Sequence, residues 1–214
     1  MSLGVVCVGI VADIAAMRTV RPTAPGWVKL ALVAVCIGSP SWWLAQRHDR
    51  VGNEARLGAI ATAIAGREVR VRCPGVVGRV LSWDIVEGSV RFDAAGRPAD
   101  ETRLRAFTCA ELDALAEGRR ASALTCADAA CAHAANDVAL AVDVLAHESW
   151  HLAGVMDEAL TECKAVQTLA WTAQRLGATP EQGRALARRY VATGYPRLPE
   201  RYRSGGCATD PVQP

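Results

Sequence analysis

The stretch Ala146–Cys163, AHESWHLAGVMDEALTEC, holds two histidines four residues apart with a glutamate directly after the first. In a helix, His147 and His151 project from one face, one turn apart. That spacing lets two imidazole nitrogens meet a single zinc ion at about 2.0–2.1 Å. Glu148 lies beside the first histidine, where its carboxylate reaches a water on the metal rather than the metal itself. The chemistry needs this division. Zinc acidifies the water toward a pKa of about 7 and polarises a carbonyl, while the carboxylate takes and redelivers the proton. The bland alternative is a pair of surface histidines on an amphipathic helix. With four histidines in the whole chain, this arrangement around a glutamate favours the site.

A catalytic zinc needs a third protein ligand and keeps its fourth position for water. Asp157, Glu158 and Glu162 are the carboxylates on offer. Gly154 suits the end of the first helix, Asp157 suits the cap of the next, and Glu158 is favourable in its first turn. If the two helices fold back midway between Gly154 and Asp157, Glu162 falls level with residue 149, between the two histidines. Glu162 is therefore the expected ligand, with Asp157 the main alternative and Glu158 a further one. Glu162 shares a helical face with Glu158, Ala165 and Leu169, and the small Ala165 lets the helices approach.

These residues need elements to hold them. Arg47–Gly66 carries Val51, Leu57, Ile60 and Ile64 at helical spacing and ends in glycine. Glu68–Cys73 alternates as a strand, and Val76–Trp83 and Ser89–Asp93 read as further short strands with turns at Gly88 and residues 94–100. Residues 101–117 read as a helix. Ala134–Ala153 is the strongest helix, followed by one over Asp157–Leu176 and another from Thr179. There TPEQ supplies an N-cap threonine, a proline at the first helical position and a glutamine for a capping box. The tail is rich in Pro and Arg and is expected to wrap the surface. The expected fold class is α+β: short antiparallel strands, then a helical hairpin carrying the metal site. His133 is expected on the surface.

The 214-residue length fits one modest domain with an appendage. A net charge of +2 without a long basic block excludes the footprint of a nucleic-acid binder. Cys7 and Cys36 lie in apolar N-terminal stretches. The other six cysteines are widely spaced with no CxxC pair, which favours three disulfides in an oxidising compartment. The expected pairs are Cys126–Cys131, Cys73–Cys109 and Cys163–Cys207. Val28–Ala45 is apolar, flanked by basic residues and carries a Trp pair, which fits an uncleaved membrane anchor; a cleaved signal peptide would make the protein secreted. The expected division is a leader or anchor over 1–46, with Met17 as an alternative start, and an extracytoplasmic domain over 47–214. Acidic residues around the histidine helix argue against an intramembrane protease.

On His147-Glu148-Ser149-Trp150-His151 the chain resembles the zincin metallopeptidases, and a glutamate on the following helix makes it look like the compact gluzincin branch, with Glu162-Cys163-Lys164-Ala165 similar to its E-x-x-A turn. The resemblance implies zinc held by His147, His151 and Glu162, Glu148 as general base, and a peptide or protein substrate. It also implies a sheet whose edge strand crosses the cleft, for which Ser89–Asp93 is the candidate. Two departures stand out. Val166 occupies the place of the usual acidic partner one turn after the glutamate. His147, Glu148, His151, Gly154 and Asp157 also match the metzincin pattern, with Asp157 as ligand. Tyr195, between Gly194 and Pro196, is the expected oxyanion electrophile, with Tyr190, Tyr202 and a tail arginine as alternatives. The competing function is an envelope protein that keeps zinc for folding or partner binding without turnover.

Overall fold

Helix α1, Pro40–Ala65, opens the part of the chain described by the structure, a computed structural model covering residues 40–75, 87–125, 129–205 and 207. The chain divides into two units, Met1–Gly52 and Asn53–Pro214. In the first, only the start of α1 is described. The apolar segment 28–45 falls largely outside the described residues, as does the strand expected over 76–83. Among the described residues no helix is long and apolar enough to cross a membrane.

The second unit is α+β. Leu57, Ile60, Ala61 and Ile64 form the buried stripe of α1, as their helical spacing dictates. Strand β1, Arg70–Arg72, runs parallel to β3, Pro98–Leu104, with Val71 opposite Thr102. Strand β2, Gly88–Phe92, pairs antiparallel with β3, Val90 also opposite Thr102. The order β1-β3-β2 leaves β2 at an edge among the described residues.

Two expectations are corrected here. The sheet is mixed rather than antiparallel throughout, and 98–104 is its central strand rather than a turn and the start of a helix. Glu101, Arg103 and Leu104 are good helix formers, but strand pairing on both sides overrides that preference. Thr102 and Leu104 point into the core, while Glu101 meets Arg72 and Arg103 at the surface. Helix α2 begins only at Ala106 and runs to Ala116.

A short helix α3, Ala121–Thr125, leads to the long α4, Ala129–Leu152. Val138, Val142 and Leu145 of α4 are fully enclosed. Gly154, at φ +95°, takes the left-handed conformation that ends the helix, with its N–H on His151 O and that of Val155 on Trp150 O. Arg67 braces the same end by donating to Leu152 O at 3.0 Å and Ala99 O at 2.8 Å.

Helix α5, Glu158–Arg175, is capped by Asp157, whose carboxylate accepts from Leu160 N at 2.8 Å. Trp150 of α4 donates to Thr168 of α5 at 3.1 Å, tying the two arms together. Helix α6, Pro180–Thr193, starts with the complete Thr179–Gln182 capping box and packs on α5. Two 3₁₀ turns, Tyr195–Arg197 and Glu200–Tyr202, carry the tail back over α5.

Disulfides Cys73–Cys109 and Cys163–Cys207 form as their spacing suggested. On the chain-entropy account, closing loops of this size contributes about 4 kcal/mol each. Cys131 is also disulfide-bonded; Cys126 lies outside the described residues.

Candidate metal centre

The last two turns of α4 and the first of α5 face one another across the Gly154 turn. Oε2 of Glu158 lies 3.1 Å from Nε2 of His147 and 3.2 Å from Nε2 of His151. The three ligand atoms lie within 4.8 Å of one another. Ligands tetrahedrally placed at about 2.0–2.1 Å from zinc stand about 3.4 Å apart, so these atoms need little movement to hold an ion.

The other nitrogens decide what the Nε2 atoms carry. His147 Nδ1 faces Oε2 of Glu162 at 2.9 Å, and His151 Nδ1 faces the carbonyl of Val155 at 2.7 Å. A carbonyl only accepts, and an ionised carboxylate only accepts. Each Nδ1 therefore bears the hydrogen, an assignment made from partner chemistry. In a neutral imidazole the remaining Nε2 is then a lone pair, and both lone pairs aim at a carboxylate oxygen. Acceptors on all sides of two rings call for positive charge at their meeting point, supplied by a second proton on each ring or by one metal ion. The donor set of two imidazoles and a carboxylate suits zinc.

Glu162 lies at the level of the histidines, as the fold-back count anticipated, but not where a ligand would be. Only 2% exposed, it sits on the buried edge of the His147 ring, whereas Glu158 is half-exposed on the open edge. The group that could hold one ion is therefore His147, His151 and Glu158, while Glu162, the expected third ligand, meets His147 at Nδ1 on the buried side of the ring. This also answers the gap at Val166, because the orienting carboxylate comes from four residues earlier. Asp157 remains with its cap. Burial lowers the His147 pKa, but the hydrogen bond and charge of Glu162, with Glu148 and Glu158, outweigh it and raise the imidazole overall.

Behind Glu162 lies a second layer. Tyr190 of α6 donates to Glu162 Oε1 at 2.8 Å, and Asp143 of α4, one turn before His147, is buried beside it. Burial and the neighbouring Glu162 charge push the Asp143 carboxyl well above the ordinary range. Sequence reasoning passed over Asp143. Its signal was an acidic residue on the stripe shared by His147 and His151, beside the otherwise apolar Val142 and Leu145.

Glu148, beside the ligand edge of α4, turns toward the sheet. It is buried, and Thr102 Oγ1, which donates to Ser89 O at 3.0 Å, lies 3.4 Å from its Oε2. Burial pushes its carboxyl up to about 7, opposed by the His147 charge, supported by that of Glu158 and opposed by Thr102. Gly88 makes room for it: a Cβ there would stand 2.6 Å from Glu148 Cγ and 2.7 Å from Oε1. The edge strand β2 thus lies directly against the glutamate of the motif.

Tyr195 is engaged elsewhere, its hydroxyl donating to Ser204 O at 3.2 Å and accepting from Ser204 N at 3.0 Å. The tyrosine beside the centre is Tyr202, whose ring centroid is 5.8 Å from that of His147. Phe92 of β2 packs edge-on against His151 at 5.9 Å. His133 is exposed, as anticipated. Comparison with protein-family models, curated proteins and solved structures finds no match to this chain.

Proposed function

We propose that the chain is a zinc-dependent metallopeptidase of zincin type, acting on peptides or proteins on the extracytoplasmic side. His147, His151 and Glu158 would hold the ion, and Glu162 would orient His147. The observation that carries this reading is the convergence of two Nε2 lone pairs and one carboxylate oxygen, each imidazole already committed through Nδ1. Zinc held there would supply Lewis acidity toward a scissile carbonyl and toward water.

The residues of the chain do the rest. Glu148, with a carboxyl near pH 7, is poised to accept a proton from the attacking water and return it to the departing amine nitrogen. Strand β2, at an edge among the described residues, would pair with an extended peptide beside Glu148. Tyr202, whose ring lies beside that of His147, would donate to the developing oxyanion in place of Tyr195, whose hydroxyl is engaged by Ser204. Disulfides support an oxidising compartment, and the apolar segment 28–45 supports a membrane anchor.

The test uses the full-length, disulfide-intact chain. Zinc content is measured, and cleavage of a peptide library is compared between the wild type and Glu148→Gln. Zinc in both with cleavage only in the wild type is the expected result. Zinc in both with no cleavage above background in either would replace the peptidase by an envelope protein that uses zinc structurally.

A further inference from the structure

Tyr190 reaches the candidate centre from a helix that supplies no ligand. Its hydroxyl donates to Glu162 Oε1 at 2.8 Å, while Glu162 Oε2 lies 2.9 Å from the Nδ1 of His147. Asp143 is buried nearby, and its Oδ1 has no hydrogen-bond partner. Tyr190, Glu162 and Asp143 are each about 2% exposed, so no bulk water shares these contacts.

A phenol has one hydrogen, and at 2.8 Å it goes to Glu162 Oε1. The other oxygen of the same carboxylate meets Nδ1 of His147. Glu162 is therefore held from two elements at once, by α4 through His147 and by α6 through Tyr190.

We propose that Tyr190 is a positioning residue for the metal centre, acting through Glu162. The chain runs from Tyr190 O–H to Glu162 and from His147 Nδ1–H to the same carboxylate. It joins α4, α6 and α5 beneath the ligands. Its consequence is to pin the Glu162 carboxylate in one orientation, so that His147 presents Nε2 and no other atom to the ion. Without the phenol, Glu162 loses the contact that fixes its plane. This inference rests on the metal reading above.

The experiment measures Zn²⁺ affinity of the full-length, disulfide-intact chain by competition with a chelating dye, together with the visible absorption of the Co²⁺-loaded form. Variants are Tyr190→Phe, Glu162→Gln and the two combined. Tyr190→Phe is expected to weaken Zn²⁺ about tenfold and to shift the Co²⁺ bands, at the low end of what outer-shell partners contribute. In the Glu162→Gln background the same change should have no further effect, because the path through Glu162 is already cut. Additive losses in the combined variant, or wild-type binding by Tyr190→Phe, would each overturn the proposal. Should Tyr190→Phe not fold, 4-fluorophenylalanine at position 190, which lacks the donor but fills its place, carries the same test with the same outcomes. A wild type that binds no Zn²⁺ or Co²⁺ would instead remove the metal reading itself.

Discussion

His147 meets Glu162 through Nδ1, at 2.9 Å on the buried side of the ring, and this single contact assigns the roles of the carboxylates around the site. With Nδ1 committed, only Nε2 faces outward, and the carboxylate it faces is Glu158. Removing Glu158 should therefore behave as loss of a ligand, and removing Glu162 as loss of a support. Glu158→Ala is expected to weaken Zn²⁺ by more than about a hundredfold, and Glu162→Gln by about ten- to a hundredfold. Isothermal titration of the metal-free chain with Zn²⁺ reads both; the reverse order would restore Glu162 as the ligand.

The separation of these two glutamates was not legible in the sequence. Counting residues back from the Gly154 turn compares Cα heights, and on that scale Glu162 is indeed level with the histidines. An imidazole, however, offers a nitrogen on each edge of its ring. Which edge a carboxylate meets depends on how the ring is turned between α4 and α5. Local signals fared better. Gly154, the Asp157 cap and the Thr179 capping box all followed from residue chemistry over short spans, and two cystines were anticipated although they join residues 36 and 44 apart. The central strand β3 was hidden because its partners are distant along the chain: those of Thr102 are Val90 and Val71, 12 and 31 residues away. That Tyr202 rather than Tyr195 lies beside His147 was hidden for a similar reason: the path of the tail depends on 3₁₀ turns and a disulfide at Cys207.

Glu148 makes the metal-free fold sensitive to pH. Its folded-state carboxyl is raised to about 7 from an ordinary 4.5, so the native state holds a proton that the unfolded chain releases. That contribution is fully present below about pH 4.5 and is lost as pH rises through about 7. Glu148→Gln, which stays neutral, should gain stability over wild type as pH rises. The gain is expected to grow to about 3 kcal/mol by pH 8 and to be under about 1 kcal/mol at pH 5. Urea unfolding of both metal-free proteins at the two pH values checks it, and a gain independent of pH would refute the assignment.

Gly88 gives a way to move the base without touching the ligands. A methyl group there collides with the Glu148 side chain, its Cβ only 2.6–2.8 Å from Cγ, Oε1 and Cδ. Gly88→Ala is expected to reduce peptide hydrolysis by about a hundredfold or more, in the range that loss of a general base produces. Zn²⁺ affinity should stay within about threefold of wild type. Loss of metal together with activity would show that β2 supports the ligands rather than the base.

Tyr202 is the tyrosine that should matter to turnover. If it donates to the oxyanion, Tyr202→Phe lowers kcat by about ten- to a hundredfold with little change in KM, whereas Tyr195→Phe leaves kcat near wild type. Steady-state kinetics on one cleaved peptide distinguishes them. Equal effects of the two substitutions would mean that both act by holding the tail.

The most direct measurement of the central claim is the metal content of the purified, full-length chain, determined by elemental analysis after dialysis against a metal-free buffer. The expected result is one zinc per wild-type chain, retained in Glu148→Gln and lost in Glu158→Ala. A wild type without zinc that also fails to bind added Zn²⁺ would contradict it, leaving His147, His151 and Glu158 as a protonated ion-pair cluster.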